Sequence, residues 1–382
     1  MMAGLLLARA GLSVLVLEKH HDFLRDFRGD TIHPSTLEVL HELGLLEEFL
    51  RLPHQKVHEL RAQFGDVRLP VAQFAGLRLR CPYIAMIPQW DFLDFLARHA
   101  RRYPRFALEM QAEVDGLLFE NQRVDGVRVR GEEIHAGLVI GADGRNSALR
   151  ELAALEVLDL GAPIDALWFR VSRRADDPPD TMARFDSGSI LVMLNRGDYW
   201  QCAFVIAKGA LESLRARGLA AFRTMLAGLM PFAAQRMAEI ASWDDVKLLT
   251  VQVNRLRQWY REGLLCIGDA AHAMSPVGGV GINLAIQDAV AAANLLWRGD
   301  FSVPALRAVQ RRRDFPTRVT QRFQVFVQNR ILSRVLADDD GSLEVPLAVR
   351  LLARFASLRR IPARMVGIGV RPEHVRSPAV AA

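Results

Sequence analysis

Cysteine is scarce in this chain, with Cys81, Cys202 and Cys266 odd in number and far apart among 382 residues. This pattern argues against a disulfide framework or a cysteine zinc site, and it fits a reducing compartment best. Long apolar runs are also lacking, because no stretch reaches the roughly 18–20 residues that span a bilayer. We therefore expect no integral membrane segment and a cytoplasmic location.

The first twenty residues are apolar enough to resemble a signal peptide. However, Arg9 lies inside the apolar part, and the segment continues into a strand with no cleavage pattern. Acidic residues are fewer than basic ones, so the formal net charge is +6. The basic excess lies in Arg-rich stretches such as RAVQRRRDF and RFASLRRIPARM, which favour solvated helix faces. Binding to nucleic acid or to an anionic membrane surface is the alternative, and we expect no nucleic-acid partner.

The sequence contains no recognisable Ser–His–Asp or metal-ligand constellation. His54 and His58 share the i, i+4 spacing of a helix, but no third ligand accompanies them. We therefore expect no metal site.

The composition is that of a globular protein, with 51% hydrophobic and 24% charged residues. Strand–helix units flank a middle block of alternating strands, which indicates an α/β fold with an antiparallel insertion. The segments HELRAQFG and VRLPVAQF are predicted to form a hairpin apart from the parallel sheet. Residues 107–144 are predicted to form short antiparallel strands that end on a buried strand.

The N-terminal segment is predicted to be a helix that ends at Gly11, followed by a buried strand, LSVLVLEK, with Glu18 at its end. This is the second half of a dinucleotide-binding βαβ unit, in which the carboxylate accepts hydrogen bonds from ribose hydroxyls. A carboxylate there repels a 2′-phosphate, so FAD or NAD is expected rather than NADP. No strand and no G-x-G-x-x-G precede the helix, and we expect that half of the motif upstream of Met1. An ordinary αβ unit with a surface glutamate is the alternative for this segment alone.

Two aspartates follow buried strands, Asp143 in LVIGADGRNSALRE and Asp269 in LLCIGDAAHAMSP. Ligands bind at the carboxyl ends of strands in open α/β sheets, where an aspartate beside a glycine can bind a polyol. The glycine-rich segment PVGGVGIN then leads into a helix, whose free N–H groups and partial positive charge favour anions. We therefore expect a flat, negatively polarised ring to lie against this backbone. A strand-to-helix turn with glycines for packing is the alternative.

These motifs, together with VLVLEK, RGDTIHPSTLEVL and PQWDFLDFL, resemble the FAD-dependent aromatic hydroxylases, the flavoprotein monooxygenases typified by para-hydroxybenzoate hydroxylase. The resemblance covers nearly the whole chain except the missing glycine turn. It implies Glu18 at the adenosine ribose, Arg28 near the pyrophosphate and ribityl region, and Gln89 at the ribityl chain. It implies Asp143 and Gly144 in a motif that serves FAD and NAD(P)H, and Asp269 on the ribityl hydroxyls. The residues implied against the isoalloxazine are Pro276, Gly278, Gly279, Gly281, Ile282 and Asn283.

The resemblance also implies a reaction and a domain plan. NAD(P)H reduces FAD, O₂ adds to the reduced flavin, and the flavin hydroperoxide hydroxylates an aromatic or similar planar small molecule. The FAD-binding domain is expected to be Rossmann-like, with three layers and a mostly parallel sheet, and to comprise residues 1–57, 82–157 and 254–300. Residues 58–81 and 158–253 form a mainly antiparallel substrate-binding domain, and 301–382 form a helical C-terminal region.

The substrate contacts are expected in the middle block, and no catalytic residue can be assigned. The candidates on its strands are Trp168, Phe169, Arg184, Tyr199, Trp200 and Gln201. His272 is a further candidate near the flavin or NAD(P)H, and plain core or surface positions are the alternative for each. The alternatives for function are a dehydrogenase, reductase or halogenase on the same scaffold, or a remnant without activity; the tryptophan–isoleucine–proline signature of halogenases is absent. The choice between a monomer and a homodimer stays open.

Overall fold

The computed structural model describes residues 1–24, 31–337 and 345–380. Its strands, in chain order, are β1 (Val14–Glu18), β2 (Thr31–Ile32), β3 (Gln55–Val57), β4 (Glu59–Phe64), β5 (Val67–Gln73), β6 (Ile84–Met86), β7 (Phe106–Met110), β8 (Val114–Glu120), β9 (Arg123–Val129), β10 (Glu132–His135), β11 (Val139–Gly141), β12 (Val157–Asp159), β13 (Ile164–Ser172), β14 (Met182–Asp186), β15 (Ser189–Asn195), β16 (Tyr199–Ala207), β17 (Lys247–Leu249), β18 (Asn254–Leu256), β19 (Tyr260–Arg261) and β20 (Leu264–Cys266).

The α-helices are α1 (Met2–Arg9), α2 (Pro34–Glu42), α3 (Leu46–Phe49), α4 (Gln89–Ala100), α5 (Ala148–Leu152), α6 (Leu211–Ala216), α7 (Leu219–Leu229), α8 (Gly281–Leu296), α9 (Val303–Val327), α10 (Ser333–Leu336), α11 (Leu347–Arg354) and α12 (Arg360–Gly367). Short 3₁₀ helices occur at Pro231–Glu239, Trp243–Asp245, Gly268–Ala270, Val277–Gly279 and Ala356–Arg359, and a π-helical turn, Gln328–Leu332, joins α9 to α10.

Two parallel strand pairs carry the motifs found in the sequence. Strand β1 pairs with β7, and β11 pairs with β20, whose other neighbour is β19. The prediction that residues 107–144 are all antiparallel is therefore wrong for β7, which pairs in parallel with β1. Strands β8, β9 and β10 form the predicted antiparallel meander.

Helix α1 lies directly on strand β1. A Cβ at Gly4 would come within 2.7 Å of the Val16 side chain, so the close approach depends on glycine. Helices α1, α4 and α8 enclose one apolar cluster with β20, which includes Leu5, Phe92, Leu265 and Ile286. Burial of this cluster positions the carboxyl end of β20 beside the N-terminus of α8.

The helical stretch Val277–Leu296 is apolar and long enough to cross a membrane by length and composition. We expected no apolar stretch of this length from the sequence, because glycine and polar residues interrupt the apolar residues of this helix. About two thirds of its most apolar window is buried inside the protein (67%). Its apolarity is accounted for by packing in the core.

A seven-stranded sheet in the order β17-β13-β16-β15-β14-β4-β5 combines the predicted hairpin with the middle block. Its pairs are antiparallel except β14 with β4. Because side chains alternate along each strand, the sheet has two different faces. One face packs Phe169, Trp200 and Phe204 against α7 and the 3₁₀ helix Pro231–Glu239. We call this the helix-covered face.

The opposite face of the same sheet approaches the glycine-rich segment 276–281, which we call the glycine loop. Ile164, Ile190 and Val205 form a cluster on this face against which Val277 of the loop packs. We call it the loop-side face. Helix α12 lies at its other end, where Ala363 and Val366 contact a cluster that contains Phe74.

Candidate active site

The segments that contain Asp143 and Asp269 begin at neighbouring strand ends. In the parallel register Gly141 lies opposite Cys266, and the Ile267 N–H donates to the Gly141 carbonyl at 2.9 Å. Beyond the strands, Nη2 of Arg145 lies 3.5 Å from Oδ2 of Asp269. The structure therefore brings the two motifs together at one edge of the sheet.

The Asp143 carboxylate faces its own helix. Its Oδ1 accepts a hydrogen bond from the Ser147 hydroxyl at 2.6 Å, and its Oδ2 accepts one from the Leu149 N–H at 3.1 Å. Ser147 in turn caps α5 by accepting the Arg150 N–H. Asp143 thus fixes the first turn of α5. The neighbouring Gly144 has φ +86°, and no heavy atom lies within 4 Å of where a Cβ would stand, so a ligand can approach this backbone.

The Asp269 carboxylate is directed towards the start of α8. Its Oδ1 lies 3.9 Å from the position that a Cβ would take at Gly281. The N-cap residue of α8, Val280, gives no side-chain hydrogen bond, so its first N–H groups are left to other partners. A partly exposed carboxylate beside a helix N-terminus offers both an acceptor for hydroxyls and a positive end for an anion.

The glycine loop adopts a conformation that only glycine adopts readily. Gly278 and Gly279 have φ of +81° and +63° in succession. A Cβ at Gly279 would lie 2.8 Å from Oγ1 of Thr31, whose hydroxyl donates to the Gly279 carbonyl at 2.9 Å. Pro276 and Gly278 are exposed beside it. The loop therefore presents backbone rather than side chains at the cleft.

Asn283 holds the start of α8 to another part of the chain. Its Oδ1 accepts the His33 N–H at 3.0 Å and the Thr36 hydroxyl at 2.7 Å, while Nδ2 donates to the Thr31 carbonyl. The side chain is buried and its polar groups are directed into the protein. The role against the isoalloxazine that the resemblance implies for Asn283 does not fit this side chain. The sequence missed these partners because about 250 residues separate them.

The remaining residues implied by the resemblance lie in three places. Glu18 ends β1 and accepts the His20 N–H at 3.0 Å. Gln89 is the first residue of α4, directly after Pro88 and strand β6, which pairs with the β2 strand of Thr31. Ile282 is half-buried and packs against the core cluster around α8. Arg28 lies outside the described residues.

His272 belongs to a buried ionic network. Its Nε2 lies 2.6 Å from Oδ2 of Asp288, whose Oδ1 accepts from Arg313 at 2.9 Å. Burial opposes the charge of Asp288, but His272 and Arg313 outweigh it and hold the pKa of that carboxyl below its usual value. Arg313 also approaches Glu373 near the C-terminus. With 1% of its surface exposed, His272 contacts Asp288 of α8 inside the core, and a role near the flavin or NAD(P)H stays a prediction.

The substrate candidates divide between the two faces of the seven-stranded sheet. Phe169 and Trp200 point to the helix-covered face. Arg184 does too, where it donates to Asp186 at 2.8 Å and to the Leu229 carbonyl at 3.1 Å. These contacts hold the Arg184 guanidinium on the helix-covered face, away from the loop-side face. By alternation, Trp168, Tyr199 and Gln201 belong to the loop-side face.

Within the described residues, no group of three His, Cys, Asp or Glu side chains converges in a way that could hold a metal ion. His54 and His58 flank strand β3, so their helical spacing has no structural meaning.

Comparisons with known proteins identify the family. The model of the FAD binding domain family matches residues 1–319. The 6-methylpretetramide 4-monooxygenase of Streptomyces rimosus is 32% identical, over 98% of this chain and 91% of that protein. The uncharacterized aromatic compound monooxygenase YhjG of Bacillus subtilis is 27% identical, over 76% of this chain and 57% of that protein.

Among solved structures, PqsL from Pseudomonas aeruginosa, a probable FAD-dependent monooxygenase, superposes with a TM-score of 0.73 at 20% identity, over 88% of this chain and 94% of that one. This likeness shows the fold. Together with the family match and the closer sequence relative, it establishes that the chain belongs to the FAD-binding domain family of flavin-dependent monooxygenases.

Proposed function

We propose that this protein holds FAD in the cleft between the Asp143 and Asp269 segments and uses NAD(P)H and O₂ to hydroxylate a planar aromatic molecule. The observation that carries the proposal is the 3.5 Å approach of Arg145 to Asp269. It joins the two polar motifs at one sheet edge, directly beside the glycine loop and the N-terminus of α8.

The residues present fit FAD. Asp269 retains acceptor capacity for ribityl hydroxyls, because its contact with Arg145 is long and partly exposed. Gly144 and the glycine loop leave backbone open to a flat ring. Glu18, at the end of β1, supports a place for the adenosine ribose. Arg28 and Gln89 stay predictions for the ribityl region.

Bound FAD would supply the electron transfer and oxygen activation that amino-acid side chains lack. The chain itself would bind and orient the ring and keep water away. Negative charge on the ring would be stabilised by the N-terminus of α8. Asn283 acts as a positioning residue, since its hydrogen bonds to His33 and Thr36 fix where that helix begins.

The loop-side face of the sheet supports an apolar substrate site. Its middle lies between the cluster that contacts Val277 and the cluster that contains Met86, Leu194 and Val366. Val192 and Ala203 are cross-strand neighbours on this face. Small and apolar residues there suit a planar ring, and the name of the Bacillus subtilis relative supports an aromatic compound as the substrate class.

We also propose that the parallel pairs β1–β7 and β11–β20 belong to one Rossmann-like sheet in a three-layer domain. The core shared by α1, α4, α8 and β20 supports this arrangement. The boundaries proposed from the sequence follow from it, with residues 58–81 and 158–253 as the substrate domain. The seven-stranded sheet supports that division, because it draws strands from both ranges.

The proposal is tested by purifying the chain with FAD and following NADH and NADPH oxidation with a series of phenols and aromatic acids. We expect substrate-stimulated consumption of O₂ and a product that contains one oxygen atom from ¹⁸O₂. Oxidation of NAD(P)H without O₂, with another acceptor, would instead indicate a dehydrogenase or reductase. A folded chain that stays colourless with added FAD would contradict the proposal.

A further inference from the structure

A second concave site lies outside the proposed flavin cleft. It is a cavity of about 410 Å³ between α9, the π-helical turn and the strands β12 and β18. Its volume falls within the range of ordinary small-molecule sites. Three arginines line it, Arg255, Arg322 and Arg330, and no acidic residue is among the described residues that do.

The buried part of this cavity contains Arg255, whose guanidinium has only part of its hydrogen-bonding groups paired. Nη1 of Arg255 donates to Oε1 of Gln321 at 3.2 Å, but its buried Nε has no hydrogen-bond partner among the described residues. Burial, and then the positive charge of Arg318, lowers the pKa of Arg255. The nearby Asp314 is itself paired with Arg318 at 2.8 Å. Like charges in a partly desolvated site favour an anion.

The outer part of the cavity combines charge with apolar surface. Arg322 and Arg330 are exposed, and neither forms an ion pair within the part of the chain that the structure covers. Beside them Phe326 is 59% exposed and Leu160 is 36% exposed, so apolar surface adjoins the charged groups. A ligand that joins an anionic group to an apolar group would satisfy both.

The cavity is coupled mechanically to the glycine loop through α9. Gln324, one turn from Gln321, donates to the Ser275 and Val277 carbonyls at 2.9 Å each. Gln328 opens the π-helical turn and donates to the Ser275 hydroxyl at 2.8 Å. Such turns are rare and frequently occur at functional sites. Here the same turn supplies Asn329 and Arg330 to the cavity.

We propose that this cavity is a binding site for a small amphiphilic anion, a phosphate or carboxylate attached to an apolar group. The volume suits a small molecule better than a macromolecule. The anion could come from the phosphates of a nicotinamide cosubstrate or from a separate anionic metabolite, and the shared chemistry is what the arginines recognise. The inference does not depend on the flavin chemistry.

The test is calorimetric titration of the full chain, loaded with FAD, with phenyl phosphate as the anionic probe and phenol as its neutral counterpart. We expect one phenyl phosphate site per chain that Arg322→Gln or Arg330→Gln weakens by about tenfold or more. Both arginines are exposed, so their replacement should leave folding intact. Arg311→Gln, an exposed arginine on α9 outside the cavity, should bind like the unmodified chain.

Addition of NADPH then distinguishes the two sources. If NADPH displaces phenyl phosphate, and this displacement is lost in Arg322→Gln and Arg330→Gln, the site binds the cosubstrate. If NADPH and phenyl phosphate bind at the same time, the site takes a separate ligand. Both outcomes support the anion site. Three results would overturn it: no binding up to ~10 mM, equal binding of phenol, or equal affinity in Arg322→Gln, Arg330→Gln and Arg311→Gln.

Discussion

Arg145 and Asp269 face each other across the ends of two neighbouring parallel strands, with Nη2 and Oδ2 3.5 Å apart. Their side chains are 20% and 30% exposed, so solvent screens the attraction and the pair adds little to folding stability. Its significance is positional. Arg145 keeps the Asp269 carboxylate at the start of α8, where the carboxylate can still accept hydrogen bonds from a ligand.

We therefore expect Asp269→Asn to weaken FAD binding while leaving the fold intact. A hydrogen bond to a charged group contributes roughly 1.5–3 kcal/mol, so the dissociation constant should rise about ten- to a hundredfold. Quenching of flavin fluorescence on titration measures this constant. Asp66→Asn, an exposed carboxylate in the β4–β5 turn, is the control. Equal FAD affinity of the two variants would count against the ribityl role.

The glycine loop allows backbone strain to be separated from a steric clash. Gly279→Ala and Gly131→Ala both place alanine at a positive φ, +63° and +83°, which is unfavourable by about 1–2 kcal/mol. Only Gly279 has an atom in the way, Oγ1 of Thr31 at 2.8 Å. We expect Gly279→Ala to unfold at a lower denaturant concentration than Gly131→Ala and to lose FAD, because the loop must shift.

The double variant Thr31→Ala, Gly279→Ala identifies the cause. Removal of the Thr31 hydroxyl eliminates the clash, so FAD retention should recover in part despite the loss of the Thr31 hydrogen bond. If FAD retention does not improve over Gly279→Ala alone, the contact with Thr31 does not set the loop position.

Local motifs in the sequence were sufficient to place the two aspartates and the glycine loop. Short spacing determines them, because a strand end and the following helix start lie within a few residues. The orientation of the side chains was not predictable in the same way. Asp143 binds the Ser147 hydroxyl and the Leu149 N–H, and this choice depends on the exact first turn of α5.

Contacts between distant parts of the chain were missed entirely. Asn283 meets His33 and Thr36, and Asp288 meets His272 and Arg313, only after the helices have packed. No spacing pattern in one sequence encodes such pairs. The sequence predicted that side chains alternate along the middle strands, but it did not predict which face α7 would cover. Phe169 and Trp200 on the helix-covered face could therefore not be distinguished from Trp168 and Tyr199 on the loop-side face.

His33 is expected to make stability depend on pH. Burial lowers its pKa to about 4, although a hydrogen bond with the Val366 carbonyl opposes this. With Nδ1 donating to that carbonyl at 2.8 Å, a proton would have to enter at Nε2, which is buried without a partner among the described residues. The folded protein therefore keeps His33 neutral, while the unfolded chain protonates it near pH 6.5.

The unfolded state thus binds more protons than the folded state between about pH 6.5 and 4, and stability falls as the pH falls through this window. The loss should approach roughly 3 kcal/mol near pH 4, from 1.36 kcal/mol per unit of pKa. Urea unfolding at a series of pH values measures it. His33→Asn keeps a donor for Val366 and should flatten this slope, whereas the exposed His41→Asn should not. An unchanged slope in His33→Asn would contradict the assignment.

Leu191 and Val192 are adjacent residues on opposite faces of the seven-stranded sheet, and they provide a test of where the substrate binds. Leu191 is fully buried on the helix-covered face, so Leu191→Ala should lower the free energy of unfolding by about 2–5 kcal/mol. KM for the aromatic substrate should stay unchanged in the folded fraction, because no part of the loop-side face is altered.

Val192→Ala should give the opposite pattern. The residue is half-buried on the loop-side face beside Ala203, so its replacement removes two methyl groups from the proposed substrate site. A hydrophobic pocket distinguishes ligands by about 1–3 kcal/mol per methylene, and kcat/KM should fall by at least about fivefold with FAD content preserved. Steady-state kinetics and unfolding of both variants give the comparison. If kcat/KM falls in Leu191→Ala but not in Val192→Ala, the substrate does not bind on the loop-side face.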